Sequence, residues 1–211
     1  MLVDPEKIQI TDFTKLGLNQ RFVRYQYERD DMTPMWQEII KVTADTENAQ
    51  DYRKHLAGHI RQEYELADTV KPQVNRLMAP LIEQYARFHQ LPKKLGLGTV
   101  WVNLQKKHEF NPPHTHDGIL SFVMWMQIPY TFDEEDEGNE AKKPLSGRFS
   151  FIIPDGEECK TVYLDSDKNY ENTCVLFPAK LMHFVNPFYS SDGLRITVSA
   201  NYYDLDKEFE E

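Results

Sequence analysis

Two cysteines in 211 residues are too few to staple a fold. Cys159 and Cys174 form neither a CxxC pair nor a dense framework, which sets aside the disulfide-rich secreted modules and makes a reducing cytoplasm the expected setting, the host cytoplasm for a viral chain. Long apolar runs are missing as well. No stretch approaches the roughly 18 uncharged residues of a membrane span, and the opening MLVDPEKIQI has no basic start followed by an apolar run, so neither membrane insertion nor secretion is expected. Positive charge is in deficit: 24 Lys and Arg against 34 Asp and Glu leave a net charge of −10. Gripping a phosphate backbone requires clustered cations, so nucleic acid is not an expected partner. There is no Gly-rich phosphate loop, no GxSxG and no HExxH, which removes support for nucleotide-driven, serine-hydrolase and HExxH metalloprotease chemistry.

What is present is an ordinary globular composition, 40% hydrophobic and 27% charged with the charges spread along the chain, and the expectation is a single domain over 1–211. Residues from about 34 to 90 read as a helical lead-in. Val70, Val74, Leu77, Met78, Leu81, Tyr85 and Phe88 follow a helical stripe that Leu91-Pro92 ends, and Tyr52, Leu56, Ile60 and Tyr64 repeat the spacing. From about 98 to 203 the period drops to two, the mark of strands. In TVWVNLQ the residues Thr99, Trp101, Asn103 and Gln105 share one face, which has the character of a pocket wall. In ILSFVMWMQI the residues Leu120, Phe122, Met124, Met126 and Ile128 form an apolar face opposed by Ser121, Trp125 and Gln127. RFSFIIP, KTVYLD, TCVLFP and LRITVSANYY read as further strands, with turns at PDGEE and YSSDG. Helices first and many short strands afterwards predict a mainly β fold with helical support (α+β), a jelly roll or barrel. The acidic stretch DEEDEGNEAKKPLSG over 133–147 reads as a solvated loop, with a lid over a site as the alternative.

The sharpest local signal is Asn111-Pro-Pro-His-Thr-His-Asp-Gly118 before a strongly patterned strand. Residues at i and i+2 of an extended segment point the same way, so His114 and His116 can converge on one ion, and Pro112 and Pro113 stiffen the approach. His183 follows in FPAKLMHFVNP after the apolar strand TCVLF, and a jelly roll brings such strand ends together. Arg195 opens RITVSAN on a face shared with Thr197, Ser199 and Asn201. An Arg there requires an anion: a carboxylate ligand, or an acidic neighbour in a structural ion pair.

These pieces together, HxH before a long strand, FPAxLxH, and an Arg in a final RITVSANY strand, resemble the iron(II) and 2-oxoglutarate-dependent oxygenases, in particular the small prolyl-hydroxylase-like proteins of bacteria and marine phages. LAGHIRQEYEL at 56–66 is also similar to phage members. The resemblance implies a double-stranded β-helix and an oxidoreductase acting as a dioxygenase. Its cofactors would be Fe(II), 2-oxoglutarate as cosubstrate and O2, and it would hydroxylate a C–H bond, with a prolyl residue in a peptide or protein as the substrate class. It implies His114 and His183 as iron ligands and Arg195, assisted by Thr197, on the distal carboxylate of 2-oxoglutarate. Asn103 is a further cosubstrate candidate. The superfamily usually has HxD or HxE where this chain has His116, so either His114, His116 and His183 form a three-histidine site, or a bulge swings Asp117 inward.

Two other readings use the same residues. A cupin-like metal-binding protein, an isomerase, dioxygenase or sensor working without 2-oxoglutarate, also uses HxH and a later His. It lacks here a Glu shortly beyond His116 and gives Arg195 no purpose. A non-catalytic scaffold would not need all three histidines. His55 and His59, four apart with Glu63 beyond, are of a kind that can chelate a metal, but they lack the HExxH arrangement and read as a solvated or capping helix face.

Overall fold

The computed structural model describes residues 3–12, 21–155 and 157–207. The ends of the expected 1–211 domain, and residue 156 in the expected turn at PDGEE, lie outside the described residues. Among the described residues eleven strands form two antiparallel sheets: β1 (Gln9–Asp12), β2 (Arg21–Gln26), β3 (Glu63–Glu65), β4 (Leu95–Gln105), β5 (Asn111–His114), β6 (Leu120–Gln127), β7 (Phe149–Asp155), β8 (Glu158–Leu164), β9 (Thr173–Pro178), β10 (His183–Val185) and β11 (Arg195–Asp204). The larger sheet runs β1-β2-β9-β6-β11-β4-β3 and the smaller β5-β10-β7-β8. This is the jelly roll expected from the period-two pattern.

The larger sheet is buried on both faces, which explains why LSFVMWMQ is apolar almost throughout rather than alternating with polar residues. Its outer face contributes Leu120, Phe122, Met124 and Met126 to a core shared with α1 (Thr33–Ala44) and α2 (Lys71–Ala86). Its inner face sends Val123, Trp125, Val175 and Phe177 against Phe149, Phe151 and Val185 of the smaller sheet. Ile128, expected on the outer face, belongs to the inner cluster, because the strand ends at Gln127 and the alternation ends with it. Both helices begin with proline in the first turn, where its missing N–H costs nothing. They bury stripes of helical period, Met35, Ile39 and Val42 in α1 and Val74, Leu77, Met78, Leu81 and Tyr85 in α2.

The helical lead-in over 34–90 needs correcting between these helices. Tyr52, Leu56, Ile60 and Tyr64 do not share a helix. The Asp51 carboxylate accepts the Arg53 backbone N–H at 3.0 Å and starts one short turn at Arg53–His55. The chain then folds back, with Tyr52 N–H donating to Glu63 O and Glu65 N–H to Gln50 O, both at 2.9 Å. Strand pairing of Tyr64 with Val102 prevails over the helical spacing. His55 and His59 therefore do not form a helix face; their rings lie against Tyr52 and Phe110, with centroids 4.9 and 4.7 Å away. Strands β1 and β2 extend the sheet in a region that the sequence patterns left unassigned.

The acidic stretch is anchored at its start. Helix α3 (Phe132–Asp136) opens with a Thr131–Glu134 capping box, Glu135 accepts the Tyr189 and Ser190 backbone N–H groups, and Asp136 pairs with Arg148 at 2.8 Å.

Candidate metal and cosubstrate site

The histidines are placed by the smaller sheet. His183 on β10 stands directly opposite His114 on β5, so both side chains leave the same face. Strand β5 lies at the sheet edge, which is why Asn111-Pro-Pro-His114 can pair at all: Pro112 and Pro113 have no N–H to give a second neighbour. His116, two residues on, is fixed by its backbone N–H on Ala179 O at 2.8 Å. Gly118 then turns the chain into β6 at φ 97°, and a side chain there would stand 2.7 Å from Tyr202 O.

The outcome is a cluster in which one ring nitrogen from each of His114, His116 and His183 lies within 4.8 Å of the others. Nδ1 of His114 meets Pro112 O at 2.7 Å and Nδ1 of His183 meets Leu181 O at 2.8 Å, so in both rings Nδ1 carries the hydrogen and Nε2 is left as a lone-pair donor. Nε2 of His183 and Nε2 of His116 are 3.2 Å apart. Two imidazole nitrogens bound at right angles to one ion at about 2.1 Å would stand roughly 3 Å apart, so the spacing fits a shared coordination sphere. Burial keeps the rings neutral, as ligation demands. It pushes His116 down to about 4 and His183 well below the ordinary imidazole value, the neighbouring histidines adding to both, and it lowers His114 as well. Asp117 is not part of the cluster; its side chain is 93% exposed and pairs with Lys180 at 3.2 Å.

The same cavity reaches Asn103, Gln105, Arg195, Thr197 and Ser199 on the larger sheet, the polar face read from the sequence, together with Trp101. Trp125, on the face opposed to Leu120 and Phe122, is core, packed edge-on against Phe149 and Tyr170. Arg195 is 1% exposed, and its guanidinium donates to Gly147 O at 3.0 Å and Tyr130 Oη at 3.3 Å while Nε has no partner. No carboxylate among the described residues pairs with it, so the structural ion-pair alternative is not met. A buried cation without a counter-charge is costly, and a ligand carboxylate would remove that cost. Thr197 accepts from Asn103 Nδ2 at 3.0 Å, which places both on the wall beside it.

With this geometry in place, the profile of a family of 2OG-Fe(II) oxygenases matches residues 99–201, the span that holds all three histidines and Arg195. Over that span, a little under half of the chain, the sequence is that of a 2OG-Fe(II) oxygenase. The oxygenase chemistry of that family requires Fe(II), 2-oxoglutarate and O2. No curated protein matches the sequence. Among solved structures, a non-haem α-ketoglutarate-dependent carbocyclase from nogalamycin biosynthesis aligns at TM-score 0.60 with 12% identity over 97% of this oxygenase and 87% of that chain. A Trichoplax adhaerens prolyl hydroxylase in complex with a peptide fragment of a hypoxia inducible factor aligns at 0.55 and 12% over 92% and 88%. A Pseudomonas putida prolyl-4-hydroxylase aligns at 0.54 and 13% over 85% and 91%. At these identities the likeness is one of fold, and it agrees with the double-stranded β-helix.

Sequence reasoning missed three residues at this site. Tyr130 and its contact with Arg195 carry no motif. Phe149 lies along the His183 ring, with centroids 5.5 Å apart and planes 19° from parallel. Glu63, read as part of a solvated helix face, is 2% exposed and lines the cavity. No helix among the described residues is long and apolar enough to cross a membrane.

Proposed function

We propose that His114, His116 and His183 hold Fe(II), and that Arg195, with Thr197 and Asn103 beside it, receives the distal carboxylate of 2-oxoglutarate. The single observation that supports this reading is that three neutral imidazoles and a buried guanidinium without a carboxylate partner among the described residues, from opposite sheets, face one cavity. The bound iron with its cosubstrate would supply the oxidative step, O2 converting 2-oxoglutarate to succinate and CO2 while one oxygen atom enters a substrate C–H bond. The protein's share is positioning. Pro112 O and Leu181 O fix which imidazole nitrogen faces the site, Phe149 and Phe177 wall His183 off from water, and Arg195 sets the direction of the cosubstrate from the opposite sheet.

For the substrate we adopt a prolyl residue in a peptide or protein. The motif resemblance supports it, as do prolyl hydroxylases, one of them with a bound peptide, among the structures of like fold. A single domain over 1–211 working in the cytoplasm completes the proposal; the free thiols Cys159 and Cys174 agree with a reducing setting. The cupin-like reading is not preferred, because it leaves Arg195 without a ligand.

The test is succinate formation from 2-oxoglutarate with Fe(II), with and without proline-containing peptides, and the peptides weighed for an added oxygen. Wild type should turn over and His183→Ala should not. Succinate formation that survives the loss of His183 would overturn the metal assignment, and peptides that never gain oxygen would overturn the prolyl one.

A further inference from the structure

The inner face of the larger sheet carries a polar row across three strands. Glu63 on β3 stands opposite Asn103 on β4, which stands opposite Thr197 on β11. Opposed residues of an antiparallel pair project to the same side, so the row faces the cavity that all three residues line. Asn103 Nδ2 donates to Thr197 Oγ1 at 3.0 Å. Glu63 has no such arrangement: it is 2% exposed, and its Oε1 is buried with no partner. Oδ1 of Asn103, next in the row, and Oδ1 of Asn111, also on the lining, are buried and unpartnered too. One part of the cavity wall thus offers three acceptors without a donor, while Arg195 Nε offers a donor without an acceptor.

A structural carboxylate nearby shows what a different role looks like. Glu109 accepts Lys106 N–H at 2.8 Å and Arg61 N–H at 3.4 Å, and so ties down its own loop. Glu63 ties down nothing with its side chain. Leu56, Ala57 and Ile60, from the segment between Tyr52 and β3, add an apolar wall beside it, and in such surroundings an oppositely charged partner is held strongly.

We propose that Glu63 is a specificity-determining residue that receives a protonated amine of the primary substrate, with the carbonyl oxygen of Asn111 as a flanking acceptor. An ammonium brings donors only, the complement of the buried oxygens that this wall leaves without a partner. The inference rests on the oxygenase reading of the cavity and assigns its substrate end, leaving Arg195 to the cosubstrate.

The test is calorimetric binding under anoxia to the enzyme loaded with Fe(II) and 2-oxoglutarate. The probes are L-prolinamide, its uncharged counterpart N-acetyl-L-prolinamide, and a tripeptide amide with a free N-terminal proline. Wild type should bind L-prolinamide at least about tenfold more tightly than the acetylated probe, and Glu63→Gln should abolish that preference. The Gln variant keeps the shape, and its affinity for 2-oxoglutarate, measured alongside, should equal that of wild type and so report an intact site. The tripeptide separates the two sources of the amine, matching or exceeding L-prolinamide for a peptide substrate and falling below it for a free amino acid. A wild type that binds no 2-oxoglutarate overturns the oxygenase reading and this inference together. One that binds 2-oxoglutarate but does not favour the charged probe at millimolar concentration, or a Gln variant that retains the preference, overturns the Glu63 assignment alone.

Discussion

His114 and His183 face each other across the β5–β10 pair with ring centroids 4.3 Å apart, although 69 positions in the numbering divide them. Antiparallel pairing alone brings them together, and the edge position of β5 leaves His114 half-buried while His183 is 3% exposed.

That asymmetry directs the first prediction. Metal binding to the folded state should raise stability by about 2.7 kcal/mol at a free concentration about 100 times Kd. Thermal unfolding with and without Fe(II) under anoxia should show this upward shift in wild type. His183→Ala should remove it and lower succinate formation by about two orders of magnitude or more. A full metal-induced shift in the variant would dissociate His183 from the ion.

Asp117 supplies the contrasting case. Its side chain points to solvent and pairs with Lys180, an exposed contact worth little. Asp117→Asn should therefore leave metal affinity unchanged within about twofold, whereas His116→Ala should weaken it about tenfold or more. Competition with a colorimetric chelator measures both; the reverse order would move the second ligand from residue 116 to 117.

Arg195→Met keeps the length of the side chain and removes its charge. Charge-assisted hydrogen bonds contribute about 1.5–3 kcal/mol, so 2-oxoglutarate should bind roughly 10- to 100-fold more weakly to the variant. The fold should not suffer, since the cation removed has no carboxylate partner among the described residues. Calorimetric titration under anoxia checks the first expectation and urea unfolding the second.

Much of this site could be read from the sequence because its ligands come from strands with strong patterns. His114 and His116 share a face through period two, and RITVSAN separates Arg195 and Thr197 from Ile196 and Val198 by the same rule. Glu63 could not be read in that way. The residues before it have helical spacing, and only the pairing of Tyr64 with Val102, a contact between distant parts of the chain, turns the segment into a strand with Glu63 facing inward. Tyr130 was hidden for a similar reason: its bond to Gly147 O and its contact with Arg195 join loops that no local periodicity connects. Strands β1 and β2 are short, and RFVRYQ buries Phe22 and Val23 in succession because β2, like β6, meets a core on each side.

Gly118 gives a prediction about the backbone. Its φ of 97° is unfavourable for any side chain, and a Cβ would stand 2.7 Å from Tyr202 O. Gly118→Ala should cost about 1–3 kcal/mol in urea unfolding. It should also weaken metal binding, because the turn sets the exit of His116. Loss of stability with unchanged metal affinity would show that His116 is held by its bond to Ala179 O alone.

Glu63 yields a pH dependence whose sign follows from burial. Desolvation lifts its carboxyl from 4.5 to about 7, with the Glu109 charge adding and Arg53 opposing. A folded-state value above the unfolded one means that the native protein holds the proton more tightly. The contribution is then fully present below about pH 4.5 and is lost as pH rises through about 7. A shift of this size corresponds to about 3 kcal/mol, since each pH unit is 1.36 kcal/mol. The histidine cluster acts in the opposite direction, because its lowered values destabilise the fold as pH falls, so wild type alone does not isolate the effect. The comparison with Glu63→Gln does: in urea unfolding at pH 5 to 8, the variant should gain on wild type as pH rises, with most of the change between about pH 5 and 7. A difference independent of pH would mean that Glu63 stays ionised in the folded protein, held by a donor inside the cavity.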